Sequence, residues 1–231
     1  MNTAFNKDAP ALLSLLHICS GVFPIGGFSH SFGLESMVES GWLQREDEFE
    51  VFCRQVLLPG IAQVDAAAVC LAMRAQGKKE LHDLDQQVTA LKPTSELRIS
   101  SLKMGGALAR ILNDMYPKAG FDQLSSPEEQ EKVGNYAVVF GIASGYLNIT
   151  VEDAVVAYTF ASISSFVQAA IKLVPLGQTT AQTILVGLYA DIERWAAKAS
   201  ELSLENMGSF NPQLDIASMN HEGLYCRLYM S

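Results

Sequence analysis

Metal-binding side chains are present in this sequence, but their spacing does not form a metal site. There are four histidines and four cysteines: His17, His30, His82, His221, Cys19, Cys53, Cys70 and Cys226. None of them forms a CxxC, HxH or HExxH pattern, the spacings that gather ligands around one ion. His17 and Cys19 are two residues apart and so lie on different faces of a helix. His221 and Cys226 are five apart near the end of the chain, which leaves open only a weak site shared across a dimer.

Motifs for nucleophilic catalysis and phosphate binding are also missing from the sequence. There is no GxSxG elbow and no recognisable Cys–His–Asp spacing. The Gly26-Gly27 pair is followed by Phe28, where a P-loop would have Lys and then Ser or Thr. The carboxylates cluster in runs, at 46–50 and 128–131, that are typical of solvated surfaces. We therefore predict no catalytic residue, no resident metal and no cofactor.

The charge balance of the chain excludes one class of partner. Lys and Arg total 16 against 25 Asp and Glu, a formal net charge of −9. Nucleic-acid binding depends on clustered Lys and Arg, and the sequence has no basic run, so we predict no nucleic-acid partner. Hydrophobic residues make up 49% of the chain, which is high for a soluble monomer. We interpret the surplus as interface buried against other polypeptides.

Two features favour a cytoplasmic location. The first ten residues, MNTAFNKDAP, lack the basic region and cleavage site of a signal peptide, and the scattered cysteines fit buried thiols in a reducing compartment. The segment 154–174 carries Lys172 as its one formal charge and is long enough to span a bilayer. Its Ser, Thr, Tyr and Gln side chains favour a buried central helix instead. We therefore predict no membrane association.

Helical periodicity runs along the chain, and no segment shows sustained strand-like alternation. Apolar residues at i, i+3, i+4, i+7 and i+8 run from Phe49 to Leu57, where Pro59-Gly60 is expected to end the helix. Thr150 is expected to cap the central apolar helix. The last helix is expected from about Thr179 to Glu205.

The predicted fold class is all-α. We expect a single-domain bundle of about nine to ten helices around a long apolar central helix, occupying residues 1–205. Gly141 and Gly145, one helical turn apart, predict a face that another helix approaches closely. Residues 206–231 are predicted to form a C-terminal tail that docks on a partner.

The end of the chain is unusually apolar for a terminus. Its apolar residues are Ile216, Met219, Leu224, Tyr225, Leu228 and Tyr229. Termini are usually frayed and polar unless they are docked. Either this tail packs on its own domain or a partner orders it, and we favour the partner.

Four segments in a fixed order carry a family resemblance. The first is PIGGFSHSFGLE at 24–35, which is similar to the pattern P-[IV]-G-[GA]-F-[SA]-[YH]-S-x-G-L-E. The others are TSELR at 94–98 with Met104-Gly105, LVPLGQ at 173–178, and matching residues of the tail between 210 and 228. Together they resemble the urease accessory protein family UreF. The tail departs from the family pattern at Asn220, where Arg is common, and at Gly223, where Thr is common.

The resemblance implies an all-helical, dimeric scaffold without a reaction of its own. UreF proteins join UreH, called UreD in some organisms, and then the GTPase UreG, and this assembly delivers nickel to urease apoprotein. UreF is described as modulating the GTPase. The rival interpretation is a nickel-binding metallochaperone with His221 and Cys226 as ligands across a dimer.

The resemblance also ranks the candidate partner-binding residues. Arg227 comes first, since a guanidinium among aromatics can hold several acceptors, although a solvated terminal charge is the alternative. Lys172 comes second, either reaching UreG, lining a polar passage, or simply extending to solvent. The segment at 24–35 is assigned to the dimer or UreG surface, or else to a buried turn. The full predicted set is Arg227, Tyr225, Leu228, His221, Glu222, Lys172, Gln178, Ser29, His30, Ser31 and Glu35.

Overall fold

The computed structural model describes residues 9–27, 31–121, 134–209, 211–224 and 228–229. Within these ranges the regular elements are all helical, with no strand, which confirms the predicted all-α class. The ten helices α1 to α10 span Ala9–Ile18, Leu34–Glu39, Glu46–Arg74, Lys78–Leu91, Ser95–Met115, Tyr136–Tyr146, Val151–Leu173, Gln178–Gly187, Tyr189–Ser200 and Pro212–Asn220.

The long helix α7 lies at the centre of the bundle and joins two hydrophobic clusters. Thr150 caps it, as predicted, by accepting a hydrogen bond from the backbone N–H of Asp153 at 3.1 Å. The first half of α7, including Tyr158, packs with α1, α4, α5, α6 and the second half of α3. The second half, from Ile163 to Ala170, packs with α2, the first half of α3, α8 and the tail. One helix therefore ties the two halves of the bundle together.

Pro59-Gly60 does not end a helix, so that prediction is wrong. The helix α3 continues past it through two π turns, Cys53–Leu57 and Ala62–Ala66. In the first of these, the N–H of Leu58 bonds to the carbonyl oxygen of Cys53, five residues back. The wider turn accommodates Pro59, which has no N–H to donate and would clash with a carbonyl in a regular helix.

The helix predicted from Thr179 to Glu205 is divided at Leu188 into α8 and α9. The N–H of Leu188 bonds to the carbonyl oxygens of both Ile184 and Leu185, a shared pattern common at helix ends. Leu188 is fully buried. The residue at the break therefore places its apolar side chain in the core. For this reason the apolar periodicity of the sequence continues across the break.

Among the residues that the structure describes, two helices, α3 and α7, are long and apolar enough to cross a membrane. Their most apolar stretches have mean hydropathies of 1.8 and 1.6, and 56% and 50% of those residues are buried inside the protein. Both helices contribute to the two hydrophobic clusters. That burial is typical of core helices, so length and composition alone are weak evidence for a membrane span.

Two contacts set the position of α6. An added Cβ at Gly141 would lie 2.6 Å from the carbonyl oxygen of Val69 in α3, so the predicted close approach occurs there, whereas Gly145 faces open space. At the start of α6, the Asp85 carboxylate accepts hydrogen bonds from the N–H groups of Gly134 at 3.1 Å and Asn135 at 2.8 Å. Burial is the main cause that raises the pKa of Asp85.

Candidate partner-docking site

The C-terminal tail contacts its own domain in the part that the structure describes. The helix α10 packs against α2 and α5. The hydroxyl groups of Thr94, at the N-cap of α5, and Ser218, in α10, are hydrogen-bonded at 3.0 Å, and both residues are buried. Own-domain packing, the alternative we did not favour, therefore describes these tail residues. A role of the tail in binding a partner stays a prediction.

Glu35 in α2 is the main anchor of the tail. Its Oε1 accepts a hydrogen bond from the N–H of Leu228 at 2.7 Å, and its Oε2 accepts one from the N–H of Tyr229 at 3.2 Å. The same Oε2 lies 3.1 Å from Nε2 of His221. Glu35 is buried, and a buried carboxylate is stable only with such partners. One side chain of α2 thus holds the tail at two separate points.

His221 connects Glu35 to α5. The imidazole is fully buried, and its Nδ1 lies 3.0 Å from Oε2 of Glu96. Both ring nitrogens therefore face carboxylate oxygens. Both contacts are hydrogen bonds only when the imidazole carries two protons or one of the carboxyl groups carries one. We call Glu35, His221 and Glu96 the Glu–His–Glu cluster; it joins α2, the tail and α5.

Gly33 shapes the entry into α2. Its φ is +90°, in the left-handed region that favours glycine. An added Cβ would also lie 3.0 Å from the backbone nitrogen of Ser218 in α10. Both requirements exclude a larger residue. The resulting close approach of α2 and α10 brings Glu35 within reach of the tail.

Three of the predicted partner-binding residues lie inside the domain. Ser31, Glu35 and His221 are buried, so any effect of Glu35 or His221 on a partner passes through the tail that these two residues hold. The predictions for Ser29, His30, Tyr225 and Arg227, and for the side chain of Glu222, lie outside the described residues.

Three other predicted residues are exposed. Two of them are Leu228 and Lys172, and Nζ of Lys172 is 5.7 Å from the ring centroid of Tyr229, the residue after Leu228. This separation allows a cation–π contact. Gln178 is the first residue of α8 and is also exposed. The structure thus brings Lys172 and the tail together, and their role in partner binding stays a prediction.

The residues that complete the anchor were not predicted as site residues. Glu96, Thr94 and Ser218 lie within two of the four segments that carry the resemblance, which was the available signal. Their pairing joins positions more than 120 residues apart in sequence, and helical periodicity contains no information on such pairs. Only the fold brings Thr94 to Ser218 and Glu96 to His221.

A cavity of about 640 Å³ lies among α3, α5, α7 and the tail. Its wall includes Lys172, Tyr229 and the ion pair between Lys92 and Asp65, whose charged atoms are 2.8 Å apart. Burial raises the pKa of the Cys19 thiol on this wall to about 12, so the thiol is neutral at physiological pH and a poor metal ligand. In the part of the chain that the structure describes, no three His, Cys, Asp or Glu side chains form a group that could hold a metal ion.

Comparison with known proteins gives matches along nearly the whole chain. A family model described as UreF matches residues 43–189. The urease accessory protein UreF of Bacillus sp. (strain TB-90) is 35% identical over 224 residues, which cover 95% of this chain and 99% of the relative. The protein of the same name from Microcystis aeruginosa (strain NIES-843 / IAM M-2473) is 33% identical over 227 residues, covering 97% and 99%. That from Marinomonas sp. (strain MWYL1) is 32% identical over 223 residues, covering 95% and 94%.

Proposed function

Since the chain belongs to the UreF family of urease accessory proteins, we propose that it is a non-catalytic scaffold in urease maturation. In this proposal it acts as a homodimer in the cytoplasm and joins UreH (UreD) and UreG to urease apoprotein. It regulates the GTPase activity of UreG and supports nickel delivery. The described tail is the surface that UreH covers.

The observation that carries this proposal is a set of exposed apolar side chains on a tail whose backbone is already held. Ile216, Met219 and Leu228 are 47%, 54% and 62% exposed, although the Glu–His–Glu cluster fixes the backbone beside Leu228. Exposed apolar side chains on a held backbone favour protein binding, because less conformational entropy is lost when the partner arrives. We call these three residues the apolar tail face.

A nickel metallochaperone is the weaker candidate. Its proposed ligand His221 is fully buried, and both of its ring nitrogens face carboxylate oxygens. A metal ion would have to displace one of these contacts. A metallochaperone must bind nickel tightly and stoichiometrically as an isolated protein, whereas a scaffold need not. Equilibrium dialysis of the isolated protein against nickel measures this binding.

The scaffold proposal predicts that the apolar tail face is needed for assembly. Replacing Met219 and Leu228 together with Ser is expected to weaken the affinity for UreH at least tenfold, because large apolar anchors dominate interface energies. Val186→Ser is the matched control, since Val186 is an exposed apolar residue on α8. Affinity is measured with purified UreH, and assembly by co-expression with UreH and UreG followed by size-exclusion chromatography.

Two results would count against this proposal, the first against the scaffold itself and the second against the apolar tail face. Failure of the unaltered chain to co-elute with UreH would remove the proposed function itself. Equal affinity of the double variant and the Val186→Ser control would leave the scaffold but separate it from this face. An unchanged circular dichroism spectrum shows that a variant is still folded, so that a loss of binding is not caused by unfolding.

A further inference from the structure

The number of protons in the Glu–His–Glu cluster follows from its geometry. Nδ1 of His221 lies 3.0 Å from Oε2 of Glu96, and Nε2 of the same ring lies 3.1 Å from Oε2 of Glu35. A neutral imidazole has one N–H, so it donates to one of these oxygens and presents a lone pair to the other carboxylate. Both contacts are hydrogen bonds only when the cluster holds one further proton.

The contacts around the ring favour placing this proton on the imidazole. His221 is fully buried, and a buried lone pair that faces a carboxylate is costly because no water can satisfy either group. The two oxygens of Glu35 accept hydrogen bonds from the N–H groups of Leu228 and Tyr229, so both already act as acceptors. His221 is also the C-cap of α10, the end at which the helix dipole favours a positive charge.

Tyr229 is a titratable neighbour of the cluster on the tail. Burial, and then the negative charge of Glu35, raise the pKa of its hydroxyl above the ordinary 10. The hydroxyl is therefore neutral in the range of about pH 5 to 8, in which histidine ordinarily changes charge. A change of pH across that range thus acts on the tail through the imidazole and not through Tyr229.

We propose that the docking of the tail is controlled by a proton, which His221 binds when the tail packs on α2 and α5 and releases when the tail detaches. A histidine in water is mostly neutral above about pH 6.5, so docking takes up a proton from solution above that pH. Each further unit of pH then lowers the docking equilibrium constant up to about tenfold, because one proton is bound. The docked tail is fully stabilised at lower pH and becomes easier to detach as pH rises.

Hydrogen exchange of the free protein at several pH values tests this inference. The protection factor of peptides from 211–224, which is the exchange rate of an unstructured peptide at the same pH divided by the observed rate, measures docking. We expect this factor to fall severalfold or more between about pH 6.5 and about pH 8.5. Peptides from α8 are expected to keep their protection.

Two variants separate His221 from other groups that titrate. His17→Gln removes an exposed histidine of α1, and its tail is expected to lose protection with pH as the unaltered tail does. In His221→Gln the protection of the tail is expected to be lower and independent of pH. Protection that is independent of pH in the unaltered chain, or that falls equally in His221→Gln, would overturn the proposal.

Nuclear magnetic resonance of the imidazole nitrogens gives a second measurement that needs no stable variant of the tail. At about pH 7.5, where a histidine in water is mostly neutral, we expect both ring nitrogens of His221 to carry a proton in the unaltered chain. Their signals are identified by their absence from the spectrum of His221→Gln. A protected tail with only one protonated ring nitrogen would contradict the proposal.

This inference concerns the free chain and goes beyond the proposed function. Both measurements are made without UreH, so they stand or fall independently of assembly. If the tail responds to pH as expected and the chain does not bind UreH, the scaffold fails while the proton-controlled anchor remains. If the chain binds UreH and its tail does not respond to pH, the scaffold remains and this proposal fails.

Discussion

Replacing Glu35 with Ala is expected to lower the free energy of unfolding by about 3 kcal/mol and to detach the end of the tail. The change removes the acceptor for the N–H groups of Leu228 and Tyr229 and leaves His221 facing Glu96 alone. Removing one member of a buried charged network is strongly destabilising, because its partners stay buried without compensation.

Urea denaturation followed by circular dichroism measures the loss of stability, and limited digestion with a carboxypeptidase measures release of the tail. Glu39→Ala is the control for stability, since Glu39 lies on the same helix and is exposed. We expect the Glu35→Ala tail to be trimmed while the control tail resists. Equal urea midpoints and equal resistance for the two variants would show that Glu35 does not hold the tail.

Asp85→Ala is expected to have an effect of similar size, about 3 kcal/mol, on a different part of the fold. It leaves the N–H groups of Gly134 and Asn135 without their acceptor at the start of α6, and each unsatisfied buried group costs roughly 1–3 kcal/mol. Asp83→Ala is the matched control, because Asp83 is exposed on the same helix. Similar urea midpoints for the two variants would mean that α6 does not depend on this contact.

The buried carboxyl group of Asp85 is expected to make the stability of the protein depend on pH. Burial raises the pKa of Asp85 above its ordinary 3.8, so the folded state favours the protonated form relative to the unfolded state. The stability linked to this group is fully present below pH 3.8 and is lost as pH rises through the folded-state pKa. The stability of the unaltered protein relative to Asp85→Asn is therefore expected to fall as pH rises above 3.8. Urea midpoints of both proteins across this pH range measure the difference in stability. If that difference grew in favour of the unaltered protein as pH rose, the prediction would be contradicted.

Features that depend on local sequence could be predicted, and the helices show why. The cap at Thr150 needs only a side-chain oxygen three residues before a free N–H. The central helix needs only an apolar stretch of sufficient length. The prediction that Pro59 ends a helix is wrong because π turns on both sides let the helix continue past the proline. Those turns depend on tertiary packing, which a single sequence pattern does not contain.

The anchor of the tail is the opposite case. Glu35 and His221 were selected from the resemblance as candidate partner-binding residues, with a buried turn left open for the segment of Glu35, and their types alone do not distinguish a buried pair from an exposed one. Their burial follows from the close approach of α2 and α10 at Gly33, which is a property of the assembled fold.

The central claim is that the tail is docked in the free protein and is then covered by UreH. Hydrogen–deuterium exchange of peptides from residues 211–229, with and without purified UreH, tests it most directly. We expect these peptides to be protected in the free protein and more strongly protected in the complex, while peptides from the exposed face of α8 do not change. Rapid exchange of the tail in the free protein, or a UreH complex that leaves its protection unaltered, would contradict the account.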